Sequence, residues 1–159
     1  MSDVEIVDYR DELQPYFYSI NAEWISNMFT MEDIDKEVLL NPHKYILSNG
    51  GYIWFAKHPE LGFVGACALR KTGEGEFELT KMGVLEKARG LKVGEKLLRH
   101  VIDFVKESKI PVCYLLTNAR CEAAIHLYLK NGFEHDPEIK QRFGGQYDRC
   151  NVAMRLKQN

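Results

Sequence analysis

"KARGLKVGEKLL", residues 87–98, joins a glycine-bearing turn directly to an amphipathic helical pattern. Backbone N–H groups at a helix start, with the helix dipole behind them, form an anion site, and small residues let a phosphate approach that backbone. Arg89, Gly90 and Gly94 supply those parts. Spacing removes two nucleotide readings. A P-loop has four residues between its glycines and then Lys-Ser or Lys-Thr, whereas here three intervene and Glu95-Lys96 follow. A dinucleotide fingerprint needs G-x-G-x-x-G after a first strand, and this mid-chain loop carries only part of that spacing. Taken alone, the stretch is equally a tight strand-to-helix turn with a solvated Arg89.

Downstream of the loop, Val93, Leu97, Val101, Phe104 and Val105 recur at helical intervals, with Lys92, Glu95, Lys96, Arg99, Asp103 and Lys106 on the other side. "IPVCYLLTN" then reads as a strand covered on both faces, so strand, helix and strand imply a parallel crossover that puts the loop at a strand's carboxyl end. Upstream, "GYIWFAKH" and "GFVGACALRK" are β-rich runs separated by Pro59, Glu60 and Leu61, a hairpin spacing. "GEGEFELTKMGV" follows a Thr72-Gly73 turn as a third strand, so residues 51 to 84 read as a meander.

The first third is more helical. "VEIVDY" is a short strand, and Leu13, Phe17, Ile20, Trp24, Ile25 and Met28 line one face of a helix from Asp11 to about Met28. "MEDIDKEVLLNP" is a second helix stopped at Asn41-Pro42. Near the other end, a helix from about Cys121 to Lys130 stops at Asn131-Gly132, and "DRCNVAMRL" alternates as a last strand. The fold class is α+β around a mixed, mostly antiparallel sheet flanked by helices, with one parallel βαβ crossover that holds the phosphate loop.

Composition sets outer bounds. With 159 residues, the chain reads as one domain over 1–159, large enough to bury roughly 70% of its unfolded surface. Hydrophobic residues at 45% and charged residues at 28% exclude disordered and fibrous classes. A net charge of -2 lacks the basic excess of a nucleic-acid binder, so nucleic acid is not expected as a partner. No apolar run approaches the roughly 18 residues of a membrane span, and the start has no signal-peptide core, so the expectation is a cytoplasmic protein without a membrane partner. Cys67, Cys113, Cys121 and Cys150 form no C-x-x-C pair, which argues against a zinc site or a disulfide framework; no metal is expected.

"FELTKMGV", "ARGLKVGEKLL", "LLTN" and "AAIHLYLKNGF", in this order and spacing, together resemble the GNAT acetyltransferase superfamily. The resemblance is strong over residues 76 to 133 and weak over the first 50. It implies acetyl-CoA as co-substrate, its pyrophosphate bound by an Arg/Gln-x-x-Gly-x-Gly/Ala loop. Arg89, Gly90, Leu91, Lys92, Val93 and Gly94 occupy that loop, matching at Arg89 and Gly94 and departing at Lys92, where the pattern has glycine. With right-handed helical dihedrals residue 92 would not require glycine, and its ammonium would face either the phosphates or solvent.

The resemblance also implies roles for neighbouring residues. Met82, Gly83 and Val84 match the strand segment that hydrogen-bonds the pantetheine arm and polarises the thioester carbonyl. Glu78 matches the base carboxylate of histone-type members, six residues before the position of Val84. By strand alternation, however, Glu78 is equally a solvent-facing carboxylate beside Glu76 and Thr80, unless a bulge re-aims it. Tyr128 matches the tyrosine that protonates or hydrogen-bonds the departing sulfur, and is otherwise a core residue. Asn118 matches a pantetheine contact and is also a good helix N-cap. Cys121 replaces a frequent asparagine.

The function implied is acetyl transfer to a primary amine by direct attack in a ternary complex, on a small molecule or on a peptide or protein; a homodimer also fits the family. Two other classes stay open: a noncatalytic acyl-CoA sensor, and a Cys121-dependent acyltransferase paired with His126, although an offset of five takes those two off a common helical face. The family's acceptor side corresponds here to Tyr16, Tyr18, Trp24, Phe29, Glu32, Asp33 and Asp35, then Phe143, Gly144, Gly145 and Tyr147. The acidic residues there either attract an amine or form a solvated charge run.

Overall fold

A computed structural model describes residues 3–143, 145 and 149–158. Seven strands form one sheet: β1 (Glu5–Asp8), β2 (Tyr52–His58), β3 (Gly62–Gly73), β4 (Glu76–Val84), β5 (Val112–Thr117), β6 (Phe133–His135) and β7 (Val152–Leu156). Their order is β1-β2-β3-β4-β5-β7-β6, and among the described residues only β4 and β5 run parallel. The expected fold class is borne out. The β3–β4 turn falls at Glu74 and Gly75 rather than at Thr72-Gly73, because Gly73 still pairs with Glu76.

Among the described residues five α-helices cover the sheet: α1 (Gln14–Met28), α2 (Asp33–Leu40), α3 (Val93–Glu107), α4 (Glu122–Lys130) and α5 (Pro137–Phe143). Strand alternation sorts the core into two faces. On β2 and β3, Trp54, Ala56, Cys67 and Leu69 meet the Val93, Leu97, Val101 and Val105 face of α3. Ile53, Phe55, Ala66 and Ala68 meet Phe17, Ile20 and Ile25 of α1 and Val38 and Leu39 of α2. Gly65 makes the first contact possible: a Cβ there would lie 2.8 Å from Val93 and 2.9 Å from Leu97, so a side chain would push the start of α3 off the sheet. Phe104 completes an aromatic cluster with Tyr52 and Trp54, at ring-centroid distances of 4.6 and 5.2 Å.

Three elements were not anticipated. A π-helical turn over His43–Leu47 follows Pro42, and β6 and α5 occupy the stretch between α4 and β7. The third small core cluster forms beneath α5, where Tyr114, Ile139 and Ala153 are buried and Phe143 stacks on Tyr114 at 4.5 Å. Such short elements lack the length for a periodic signal and gain their stability from the sheet they cover.

Strand β4 contains the irregularity that shapes the site. Ala68 pairs with Thr80 and Ala66 with Gly83, so Lys81 and Met82 together face one residue of β3. Lys81 adopts φ +52, a conformation a lysine enters only at a cost of roughly 1–2 kcal/mol. The bulge inverts alternation: Phe77 and Leu79 face α3 before it, whereas Met82 and Val84 do so after it. Beyond Leu79–Leu115, β4 and β5 no longer pair, while β5 continues along β7 to Thr117. The strands part.

A buried ion network holds this bulge. Asp35, fully buried at the start of α2, accepts 2.7 Å hydrogen bonds from Lys81 Nζ and from both terminal nitrogens of Arg149. It also accepts the backbone N–H of Glu32, closing a capping box, while Glu32 Oε2 receives Arg149 Nη1 at 3.0 Å. The solvated-charge reading is therefore corrected for Asp35: two cations neutralise it, so it is not offered to an amine. Burial alone would raise the Asp35 carboxyl, but Arg149 and Lys81 outweigh it and hold the group at about 2. Removing one partner of such a network leaves uncompensated buried charge, so Asp35→Ala should lose about 3–5 kcal/mol in urea denaturation. Because the folded value lies below the unfolded value of about 3.9, the contribution is complete above about pH 4 and is lost as pH falls through about 2. Asp35→Asn should accordingly flatten the acid limb of the stability curve.

Candidate active site

Where β4 and β5 part, a cleft opens, partly to solvent. Its walls include Trp24 and Phe29 at the end of α1, Glu78 to Met82 of β4, Leu115 to Asn118, Cys121, Tyr128, Arg149 and Cys150. Seven of the sequence-selected residues are thus close together: Trp24, Phe29, Glu78, Met82, Asn118, Cys121 and Tyr128. On the side facing the cleft, the β4 backbone after Leu79 has no strand partner among the described residues. An extended chain carrying amides could pair there as a strand would.

Gly83 has a reason within the protein itself. A Cβ on it would lie 2.4 Å from Trp24 Cδ1 and 2.6 Å from Trp24 Nε1. The indole is fixed from behind, since Nε1 donates to Asn21 Oδ1 at 2.9 Å and Asn21 Nδ2 donates to the Phe17 carbonyl at 3.0 Å. Asn21 is fully buried on a helix face that the sequence marks as apolar, and its signal was the unexplained polar residue at a core position. Trp24 becomes a rigid wall of the cleft.

Glu78 is 1% exposed, not solvent-facing. It lies directly across from Arg70 on β3, whose Nε and Nη2 donate to its Oε1 at 3.2 and 2.8 Å. Among the described residues Oε2 has no hydrogen-bond partner and no side-chain oxygen is both unpaired and sealed from solvent, so Oε2 opens on the cleft. Burial raises the Glu78 pKa above the ordinary carboxylate value, with Arg70 and Lys81 opposing. Tyr128, 8% exposed, likewise makes no hydrogen bond among the described residues, and burial, then Cys121 and Cys67, push its hydroxyl up.

Asn118 is engaged locally. Its Nδ2 donates to the Arg149 carbonyl at 2.6 Å and its Oδ1 accepts from Arg120 N at 2.8 Å, so it braces the β5–α4 turn, while Cys121 occupies the N-cap of α4. The N-cap reading of Asn118 is corrected by three residues. His126 is exposed and does not line the cleft with Cys121. Cys150, by contrast, was not selected from the sequence; its thiol reaches the cleft wall, and burial pushes it up to about 11. Of the expected acceptor residues, Trp24 and Phe29 reach the cleft, whereas Tyr16 packs on Phe63 at 4.8 Å and Phe143 on Tyr114. Gly144 and Tyr147 lie outside the described residues.

The phosphate-loop residues follow the same strand. Gly90 adopts φ +83 with open space above it, Arg89 and Leu91 are exposed, and Val93 is buried as the first residue of α3. The helix starts without a side-chain cap, so its leading N–H groups are unfilled. Gly94 lies near Val84 and Leu127, which ties the loop to the end of β4 and to α4. An anionic phosphate group fits this uncapped helix start.

A model of the "Acetyltransferase (GNAT) domain" matches residues 49–135, more than half of the chain. The chain belongs to the GNAT acetyltransferase family. It is an N-acetyltransferase with acetyl-CoA as co-substrate, and the sensor alternative gives way to an enzyme. It is 27% identical over 125 residues to the N-alpha-acetyltransferase RimI of Mycobacterium tuberculosis, covering 77% of this chain and 69% of that protein. A GNAT acetyltransferase from Staphylococcus aureus Mu50 superposes with a TM-score of 0.85 at 26% identity, over 96% of this chain and 98% of the other. A GNAT acetyltransferase from Elizabethkingia anophelis with acetyl-CoA bound gives 0.73 at 19% identity, over 99% and 100%.

The GNAT loop pattern has glycine where this acetyltransferase has Lys92, and residue 92 is left-handed, φ +60 and ψ +29. The right-handed condition under which lysine would be free of cost is not met, because the chain must reverse between Gly90 and the first turn of α3. Lys92→Gly should raise Tm by a few degrees, since a left-handed lysine costs roughly 1–2 kcal/mol. Calorimetric affinity for acetyl-CoA should stay within a few fold. A loss matching that of Arg89→Ala would instead assign the ammonium to the phosphates.

Proposed function

We propose that this acetyltransferase moves the acetyl group to a primary amine by direct attack in a ternary complex, with Glu78 as general base and Tyr128 at the departing sulfur. One observation carries the reading: the Glu78 carboxylate, with Oε2 lacking a protein partner among the described residues, and the Tyr128 hydroxyl, likewise without one, line the same cleft. An alkyl amine with a pKa near 10.4 is uncharged in roughly one molecule per thousand at neutral pH, so attack requires a proton acceptor. Glu78 takes that proton directly or through a water. Its raised pKa brings a carboxylate closer to the range in which a base works best.

Acetyl-CoA supplies an activated acetyl thioester. Arg89 and the N–H groups from Gly90 to Gly94 would hold its pyrophosphate, and the open β4 edge at Met82, Gly83 and Val84 its pantetheine amides and thioester carbonyl. Asn118, held by one N–H on the Arg149 carbonyl, keeps its second amide N–H for a contact with the pantetheine arm. Tyr128 keeps its proton, because burial raises its pKa further. A thiol with a pKa near 8.5 leaves fairly well unaided, so the hydroxyl contributes mainly a hydrogen bond. A cytoplasmic setting belongs to the same proposal, consistent with four free cysteines.

The acceptor is an amine of a small molecule, peptide or protein, and a panel with a free peptide N-terminus, a lysine side chain and a polyamine selects among them. With the best acceptor, Glu78→Gln should lower kcat by about 10² to 10⁴ fold, and Tyr128→Phe by less. The reverse order would remove Glu78 from the base role. Intact mass after exposure to acetyl-CoA should be unchanged; a stable acetyl adduct on Cys121 would favour the covalent route.

A further inference from the structure

We propose that Arg70 is the positioning residue of the base: it grips Glu78 by one oxygen only, keeping the carboxylate ionised and turning the other oxygen into the cleft. This rests on Glu78 as base, but its physical content is a property of the resting protein.

The placement follows from the sheet. Arg70 and Glu78 are register partners on β3 and β4, so both side chains rise from the same face within hydrogen-bonding reach. On that face the neighbouring β3 residues Ala66 and Ala68 pack against α1 and α2. A carboxyl group 1% exposed in such surroundings would be driven to its neutral form, useless as a base, unless a cation stood beside it. Arg70 is that cation, and its side chain, 24% exposed, stays partly hydrated while its partner does not.

The geometry is selective. A guanidinium commonly engages both carboxylate oxygens in parallel, a fork that would tie up Oε2. Here Nε and Nη2 converge on Oε1, so the pair is held without closing the second oxygen. The other charged and titratable groups around Glu78 are committed elsewhere. Lys81, on the same strand, donates to Asp35, and Asp35 also holds Arg149. Tyr114, its register partner on β5, donates to Thr72 Oγ1, while Glu76 is bound by Arg142. Cys150 keeps its proton. Arg70 is thus the cation that contacts Glu78 among the described residues.

The test reads the ionisation of Glu78 in the substrate-free protein by carbon-13 NMR of protein labelled at glutamate carboxyl carbons, the Glu78 resonance assigned by its disappearance in Glu78→Gln. Arg70→Gln should move the Glu78 midpoint upward by about one unit or more, a tenfold change in the ionised fraction per unit. Arg70→Lys, which keeps the charge in a nearly isosteric stem, should return it most of the way. The acid limb of kcat/KM, measured with acetyl-CoA and a short peptide bearing a free α-amino group, or a polyamine if the peptide is not accepted, should shift upward with the same midpoint, because the acceptor's own ionisation is common to all variants. A midpoint that stays put in Arg70→Gln, or activity lost equally at every pH with the limb unmoved, overturns the proposal and leaves Arg70 a merely structural ion pair. Full turnover in Glu78→Gln would sink the base reading instead, while the resonance would still report whether Arg70 governs that carboxylate.

Discussion

One extra residue in β4, Lys81, is what the rest of the site depends on. Its positive φ lets two residues face one on β3, which reverses the alternation of β4 and ends the pairing with β5 after Leu79. A strained lysine in a strand persists only when its surroundings hold it there. Asp35 does so from α2, and Arg149, near the start of β7, grips the same carboxylate. Three distant segments therefore meet at a single buried charge.

The electrostatics form a graded series from this hub to the chemistry. Asp35 is surrounded by donors on both oxygens and serves structure. Glu78 is bound on one oxygen only and faces the cleft. Two carboxylates on the same side of the sheet thus acquire different behaviour through the number of donors each receives, with the Asp35 pKa lowered and the Glu78 pKa raised. Trp24 adds a rigid apolar wall, seated on the bare Cα of Gly83 and tied to Asn21. The cleft is therefore built by the end of α1 and by β4 from one side and by β5, the start of α4 and the segment entering β7 from the other.

Much of this was legible in the chain itself. The phosphate loop, the amphipathic α3 and the apolar β5 run are local signals, because spacing along a helix or strand is set by backbone geometry alone. The position of Tyr128 on α4 followed from the same periodicity and from motif order. The reading weakened where contacts are long in sequence. Alternation presented Glu78 as a solvent-facing residue, since nothing local reveals that α1 covers that face. Lys92 looked free of conformational demand until the turn geometry showed it left-handed. Asp35 looked like a surface residue of its helix, and its partners lie in the β4 bulge and before β7.

The sequence by itself determined the long strands and helices, the α+β class, the glycine-bearing start of α3 and the family resemblance, because each rests on interactions among residues a few positions apart. Only the tertiary structure decided which acidic residue is locked in a buried ion network and which keeps one oxygen open to the cleft. That choice depends on desolvation and on the count of converging donors, quantities that arise when α2, β3, β4 and the segment entering β7 come together, and that no spacing rule along one strand contains.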